Sequence, residues 1–298
     1  MSLTNFVEQE EIRSRINEAY PSQGDSATGP MESEPRTSDP QRIGTAFDYL
    51  CRWWIQRRID DCTEYRWVAE KSLPVAEEMF PDKVPEIEDA IQTAKRRQGE
   101  YLETGTATRP LVESALDLAS IDTIYRAQRP PDGLGNYDDA DIVDCLELLG
   151  VLLDSELPQG DEAYLNPTFG AASPLVGGAD ADLIIDNTLI DIKTVKSPTF
   201  KASDWRQLVG YLVLADLHAL FYEEGVYQYY AEYRETKLPE IESFGIYFSR
   251  YGELSKVSAD EIYGAPHYEE FRSWFATKAE EQYPQWRAHF GNLVQDLL

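Results

Sequence analysis

The sequence is poor in cysteine and in lysine, and it has no long apolar segment. Its three cysteines, Cys51, Cys62 and Cys145, are an odd number without C-x-x-C spacing, which argues against a zinc site, an iron–sulfur cluster and a disulfide framework. No apolar run reaches the roughly eighteen residues of a transmembrane helix, and the acidic N-terminus lacks the apolar stretch of a secretory signal. We therefore expect a cytoplasmic protein with no membrane partner.

Positive charge is scarce as well. The 298 residues include 54 acids and 27 bases, which are nine lysines and eighteen arginines, for a net charge of −27. Molar salt screens repulsion between exposed charges beyond about 3 Å, so an acidic, lysine-poor composition indicates a halophilic protein. An acidic mesophilic protein with its basic groups gathered near a site is the alternative. The apolar fraction of 42% is sufficient for a core in one large or two small domains.

Residues 177–194 predict a β-hairpin. Two short runs of aliphatic and β-branched residues, which are typical of strands, flank Asp186-Asn187. Both turn residues tolerate the positive φ that a two-residue hairpin loop requires. This turn places Asp182 directly opposite Asp191, with Cβ atoms roughly 5 Å apart.

A lysine joins this pair of acids. Side chains alternate along a strand, so Lys193 shares a face with Asp191, whereas Ile190 and Ile192 point into the core. Like charges that lie opposite each other on a sheet repel, which predicts a cation between the carboxylates of Asp182 and Asp191. A solvated face with a surface salt bridge is the alternative.

A helix is predicted over residues 203–215, with Ser203 as its N-cap. Gln207 and Tyr211 are four residues apart and share one helical face, which we expect to look toward the acids of the hairpin. The residues expected on the opposite, core-facing side are Val209, Leu212 and Val213, with Leu208 at the edge.

The two acids, the lysine and the pair Gln207 and Tyr211 resemble the metal-binding core of the PD-(D/E)XK nuclease superfamily. The Q-x-x-x-Y element after the lysine strand is similar to that of its RecB-like branch. The likeness covers residues 177–215, and Ala181 stands where the motif's often absent Pro would be. The resemblance implies an α/β, restriction-endonuclease-like core, in which a mixed central β-sheet is flanked by helices.

The resemblance also implies a chemistry. Asp182 and Asp191 match the acids that bind Mg²⁺ or Mn²⁺, and the Ile192 carbonyl adds a ligand. The implied function is metal-dependent hydrolysis of DNA in repair, recombination or defence. The chain has no G-x-x-x-x-G-K-[ST] motif, so a helicase would be a separate protein partner. The residues with implied catalytic roles are Asp182, Asp191, Lys193, Gln207 and Tyr211.

Two other functions fit parts of this pattern. A nuclease-like domain without activity could bind or scaffold a partner, and its acidity even permits mimicry of DNA. Paired carboxylates also carry out acid–base hydrolysis in glycosidases, although Lys193 and the Gln207 helix would then have no role.

A further acid comes from the helix predicted over residues 42–54. In the RecB-like branch the opening helix often carries Gly and, four positions later, a His or acid that reaches the metal; Gly44 and Asp48 have this spacing. Asp48 is thus a candidate metal ligand, or else an acid that stabilises the helix N-terminus. Asp144 and Glu147 are alternative candidates, or boundary residues of a packed helix.

A cluster of three arginines and one further arginine are candidates for contact with phosphate, and all could instead pair with nearby acids. The cluster is Arg52, Arg57 and Arg58, and the further arginine is Arg250.

The chain divides at about residue 40. Residues 1–40 are expected to be disordered or loosely ordered apart from a short helix over 4–19, because the stretch from Pro21 to Pro40 is rich in Pro, Gly and Ser. Residues 41–298 are expected to form one domain with a helical insertion at about 60–155. Predicted elements are helices over 84–103, 109–128 and 138–154, a strand over 243–252 beside the lysine strand, and a closing helix over 267–298.

Overall fold

A computed structural model describes residues 2–155, 157, 160–225 and 237–283. The described helices are α1 (Leu3–Val7), α2 (Glu10–Ala19), α3 (Pro40–Gln56), α4 (Val68–Met79), α5 (Val84–Thr104), α6 (Arg109–Ala127), α7 (Asp139–Val151), α8 (Ala202–Glu223), α9 (Asp260–Tyr263) and α10 (Tyr268–Gln282). The described strands are β1 (Asp61–Glu64), β2 (Glu162–Leu165), β3 (Leu183–Ile185), β4 (Thr188–Lys193), β5 (Ser243–Phe248) and β6 (Glu253–Ser258).

The six strands form one mixed sheet in the order β1-β2-β3-β4-β5-β6. The pairs β1/β2 and β4/β5 are parallel, and the other pairs are antiparallel. The predicted mixed α/β architecture, with a sheet flanked by helices, is thereby confirmed. β1 was not predicted, because its four residues, Asp-Cys-Thr-Glu, show no apolar alternation and lie half-exposed at the sheet edge.

The hairpin between β3 and β4 has the predicted register. Ile185 pairs with Thr188 and Leu183 with Ile190, which leaves only Asp186 and Asn187 in the turn. Asp186 has a φ of 47°, a left-handed conformation that Asp adopts more readily than most residues. The local turn chemistry therefore decides which residues face each other across the hairpin.

Side-chain alternation in the hairpin separates two apolar cores. Ile184 and Leu189 pack in the core that contains α1, α2, α8 and α10. Leu183, Ile190 and Ile192 pack in the other core, with α3 and the helices α4 to α7. The predicted inward orientation of Ile190 and Ile192 is confirmed.

The N-terminal segment is more ordered than its composition indicated. α1 and α2 bury one apolar stripe against α8, and Phe6 stacks edge-on against Phe275 with ring centroids 5.0 Å apart. A Cβ added to Gly210 of α8 would lie 2.8 Å from a methyl group of Leu3. The short helix expected over residues 4–19 is present as two helices, α1 and α2, and their burial shows that residues 3–20 are not loosely ordered. The buried residues of the stripe are Leu3, Phe6, Val7, Ile12 and Ile16.

Residues 21–39 contain no helix or strand but are also held to the domain. The N–H groups of Glu32 and Ser33 donate to the carbonyl of Arg250, and those of Thr28 and Gly29 donate to the Glu253 carboxylate. Backbone hydrogen bonds to the domain, rather than regular secondary structure, fix the path of this segment.

The three helices predicted for the insertion are present, with small shifts at their ends. α5 ends at Gly105, which has a φ of 69°, as expected of a C-terminal glycine. The predicted strand beside the lysine strand is β5, which ends at Phe248, and a turn leads from it into β6. α10 matches the first part of the closing helix, whereas 284–298 lie outside the described residues. No described helix is long and apolar enough to span a membrane.

Candidate active site

One edge of the sheet gathers the polar residues of the hairpin. β2, β4 and β5 end at this edge and β3 begins there, so Asn166, Asp182, Lys193 and Ser249 are brought together. We call it the site edge. α8 lies on one face beside it, and α3 lies on the other.

Asp182 lies at the start of β3 and is held by backbone groups of its neighbours. Its Oδ2 accepts a hydrogen bond from the Ile192 N–H at 2.6 Å, and its carbonyl accepts one from the Asn166 N–H at 2.9 Å. Burial, with a smaller contribution from the charge of Asp48, raises the pKa of Asp182 to about 6 against the opposing effect of Lys193. The carboxyl group is thus fixed in direction and easy to protonate in the metal-free protein.

Asp191 is 4% exposed, and its partner is Lys193. Lys193 Nζ lies 2.7 Å from Asp191 Oδ2, although no hydrogen bond of good geometry reaches this oxygen; the contact is an ion pair. Burial raises the pKa of Asp191 to about 7, which Lys193 only partly offsets. Burial lowers the pKa of Lys193, but the charges of Asp191 and Asp182 outweigh it, so that its pKa is raised overall and its ammonium group is retained.

The helix after the lysine strand presents Gln207 and Tyr211 to this edge. The amide of Gln207 donates to the Tyr211 hydroxyl at 2.8 Å, and this hydroxyl donates to the carbonyl of Asp180 at 2.7 Å. Phe169 stacks on the Tyr211 ring with centroids 5.5 Å apart. Burial and the charges of Asp191 and Asp182 hold the pKa of Tyr211 well above its usual value, so the hydroxyl remains a donor.

Two details of α8 differ from the prediction. The helix begins at Ala202, and the side chain of Asp204 accepts the N–H of Lys201, so Ser203 is not the N-cap. Leu208, which we expected at an edge, is fully buried, because α1 and α2 cover the outer side of α8 and leave no solvent-facing apolar position there.

Asp48 reaches the site edge from α3. A Cβ added to Gly44 would lie 3.8 Å from Cβ of Thr194, so α3 runs beside the end of β4. Arg52 Nη2 binds Asp48 Oδ2 at 2.7 Å, while Asp48 Oδ1 is buried without a hydrogen bond. Because its charge raises the pKa of Asp182, Asp48 is the candidate third acid that the fold brings to the pair.

The alternative third acids are engaged elsewhere. Asp144 is fully buried and binds Arg250 through two contacts, at 2.7 and 3.1 Å. Glu147 binds Arg36 on the exposed side of α7. The structure therefore places Asp144 and Glu147 in ion pairs of α7, and their role as the upstream acid stays a prediction with less support than that of Asp48.

Three of the arginines proposed to contact phosphate already bind acids or aromatic rings of the protein. Arg250 is 1% exposed, and Arg52 is buried beneath Asp48 with its guanidinium 4.4 Å from the centre of the Tyr49 ring. Arg58 stacks on Trp54 at 3.7 Å. A phosphate role is wrong for Arg52 and Arg250, since neither guanidinium reaches the surface.

The oxygen donors at the site edge fit a hard divalent cation in type. Asp48 Oδ1 is buried without a hydrogen bond, which is costly for a carboxylate, whereas Asp191 Oδ2 is held by Lys193 Nζ at 2.7 Å. The Lys193 carbonyl accepts a hydrogen bond from the Ser249 N–H, on the β5 side of β4. Backbone groups of successive strand residues point to opposite neighbours, so the N–H and the carbonyl of Ile192 point toward β3 and Asp182. In the described part of the chain, however, no three His, Cys, Asp or Glu side chains converge as a metal-binding group.

Comparisons with protein-family models, curated proteins and solved structures found no match to this chain. The resemblance to PD-(D/E)XK nucleases therefore depends on the residues of the site edge and on their order along the chain, and it stays a prediction.

Sequence reasoning overlooked Asn166 and Arg126. Asn166 follows β2 with a φ of 56°, is 4% exposed, and has an Nδ2 without a partner. Its only sequence signal is a turn-forming Asn-Pro pair after a strand. Arg126 lies in the last turn of α6, which packs on α3, and it carries no motif at all.

Proposed function

We propose that this protein is a Mg²⁺- or Mn²⁺-dependent nuclease that hydrolyses phosphodiester bonds of DNA on a restriction-endonuclease-like core. One observation carries the proposal: Asp182, Asp191 and Lys193 meet at a single sheet edge, and Tyr211 of the following helix ties down the segment that precedes Asp182. The order of these groups along the chain is that of the RecB-like branch.

In this proposal Asp182, Asp191 and the Ile192 carbonyl hold the cation, and Asp48 contributes from α3. A bound divalent cation polarises the scissile phosphate and lowers the pKa of the attacking water. Lys193 keeps its proton beside two buried acids, so it can donate hydrogen bonds to that water and stabilise negative charge that develops on the phosphate.

In this proposal Tyr211 and Gln207 position the backbone before Asp182 and take no part in the reaction itself. The Tyr211 hydroxyl binds the Asp180 carbonyl and in turn accepts from Gln207. These two hydrogen bonds fix the backbone two residues before Asp182. Precise placement of a catalytic group is worth orders of magnitude in rate.

The test is cleavage of linear, circular and single-stranded DNA by the purified protein, with Mg²⁺ or Mn²⁺, at low and multimolar KCl. We expect metal-dependent cleavage that EDTA stops and that Asp191→Ala abolishes. Cleavage by Asp191→Ala at the wild-type rate would place the chemistry elsewhere. No cleavage of any substrate at any salt concentration would contradict the proposal.

A binding or scaffold protein on the same fold is the second candidate, and one observation favours it. The Lys193–Asp191 pair and the Asp182–Ile192 hydrogen bond leave the site largely satisfied without a cation. DNA or protein binding without cleavage, unaffected by Asp191→Ala, would support this candidate. Acid–base hydrolysis by the two acids is less well supported, because Lys193 neutralises Asp191.

A further inference from the structure

Arg126, in the last turn of α6, has one long ion pair and an exposed guanidinium. Its side chain is 57% exposed, and its nearest carboxylate oxygen, Asp122 Oδ2, lies 3.9 Å from Nε. Within the described residues its guanidinium makes no hydrogen bond. By contrast, Arg206 and Arg250 are almost fully buried and bind carboxylates at 2.6 and 2.7 Å. Five N–H donors of Arg126 are thus available to a ligand.

Packing of α6 on α3 connects Arg126 to the acids. The other oxygen of Asp122 accepts from the Tyr49 hydroxyl at 2.8 Å, and Arg52, which binds Asp48, lies over the same tyrosine ring. Arg126 is therefore separated from Asp48 by a short series of side-chain contacts between two packed helices.

The charges around Arg126 are those of the site edge. Partial burial of the Arg126 side chain lowers its pKa, but the charges of Asp122, Asp48, Asp180 and Asp182 together raise it above the usual value. Lys71 is a second cation nearby but already binds Asp180 at 3.2 Å. Arg126 is thus an available cation within the electrostatic field of the proposed metal-binding acids.

We propose that Arg126 binds a phosphate of the DNA strand held at the site edge, next to the one that is cleaved. This inference rests on the proposed nuclease function. Guanidinium groups bind phosphate oxygens in a bidentate manner, and a chain with a net charge of −27 needs local cations to hold a polyanion beside acids. Arg126 of the helical insertion would then bind the DNA strand, whereas the acids and the lysine of the hairpin would carry out the hydrolysis.

The experiment measures binding of a fluorescent DNA oligonucleotide by anisotropy in Ca²⁺ over a range of KCl concentrations, and cleavage in Mg²⁺. Variants are Arg126→Ala, Arg126→Lys and the control Arg96→Ala. Arg96 is matched, because its side chain is 61% exposed and its acid partner Glu100 lies at 4.0 Å, but it lies on α5. Melting temperatures establish that each variant is folded.

We expect Arg126→Ala to weaken binding about 3- to 10-fold and to reduce the slope of log K against log salt by about 0.7–0.9, the value of one lost phosphate contact. Arg126→Lys should recover part of the affinity, and Arg96→Ala should bind as wild type does. The main effect on cleavage should be on KM.

Three results would overturn the inference. Equal binding by Arg126→Ala and Arg96→Ala, while the wild type still cleaves, would reject the phosphate contact and leave the nuclease function intact. Weaker binding with an unchanged salt slope, reproduced by Asp122→Asn, would show that Arg126 acts only through Asp122. Absence of both binding and cleavage in the wild type would reject the nuclease function as well.

Discussion

The hydroxyl of Tyr211 donates a hydrogen bond to the backbone carbonyl of Asp180 at 2.7 Å, two residues before Asp182. Tyr211→Phe removes this bond and leaves the ring stacked on Phe169. We expect cleavage to fall by up to about 100-fold, because a displacement of about 1 Å in a catalytic group costs that much. Single-turnover cleavage rates at saturating Mg²⁺ measure this effect.

Tyr263→Phe is the matched control for Tyr211→Phe. The Tyr263 hydroxyl also donates to a backbone carbonyl, that of Leu212 in α8, at 3.1 Å. Its loss should lower stability by a similar amount, about 1 kcal/mol, without changing the cleavage rate. Equal cleavage by both variants would mean that Tyr211 has only a structural role.

The packing of the N-terminal helices predicts a large effect at Phe6. Phe6 is fully buried and contacts Phe275, so Phe6→Ala should lower the free energy of unfolding by about 3–5 kcal/mol. Urea unfolding measures this change, with Arg13→Ala on the exposed side of α2 as the control. If residues 1–40 were loosely attached, the two variants would unfold alike.

Asp122 makes stability depend on pH. Burial raises the pKa of Asp122 to about 7, above its usual value of about 4. Between these values the folded state keeps a proton that the unfolded state has released, so stability falls as the pH rises from about 4 to 7, by at most about 1.4 kcal/mol per pH unit for this group. Asp122→Asn keeps an acceptor for Tyr49 and should flatten the curve.

Unfolding free energies of wild type and Asp122→Asn between pH 4 and 8 test this prediction. Asp182 and Asp191 also have raised pKa values, so only the difference between the two proteins reports on Asp122. Parallel curves would contradict the expected effect.

The acidic composition predicts that the fold is most stable in molar KCl, where repulsion among acids is screened. The melting temperature should rise between low and molar salt, because 54 acids face only 27 bases. Several of the bases are already bound in buried ion pairs, such as those of Arg206 and Arg250. A melting temperature that does not change with salt would count against a halophilic protein.

Prediction from sequence succeeded where the determinants are local. The Asp186-Asn187 turn decides the register of the hairpin, and the spacing of Gln207 and Tyr211 decides their common face, so both could be derived from a few neighbouring residues. The placement of Arg126 and the pairing of Arg250 with Asp144 depend on how separate helices pack, and no local pattern contains that information. For the same reason the cover of α8 by α1 could not be predicted.

Asp48 is the third acid of the proposed metal site. If Asp48 joins Asp182 and Asp191, Mn²⁺ should raise the melting temperature of the wild type, because a ligand at 100 times its Kd stabilises the folded state by about 2.7 kcal/mol. Asp191→Ala should abolish this shift and Asp48→Asn should reduce it; Asn is chosen because it still offers an acceptor to the buried Arg52. Glu147→Ala is the control, since Glu147 binds Arg36 at the surface.

Isothermal titration with Mn²⁺ gives the corresponding affinities without any measurement of cleavage. Loss of binding in Asp191→Ala together with normal binding in Asp48→Asn would leave the two hairpin acids and the Ile192 carbonyl as the protein ligands. Reduced binding in Glu147→Ala would mean that α7 rearranges toward the site when the cation binds. Normal binding in all three variants would remove the basis for a metal site at this edge, because Asp191 is one of the two hairpin acids on which the proposed site depends.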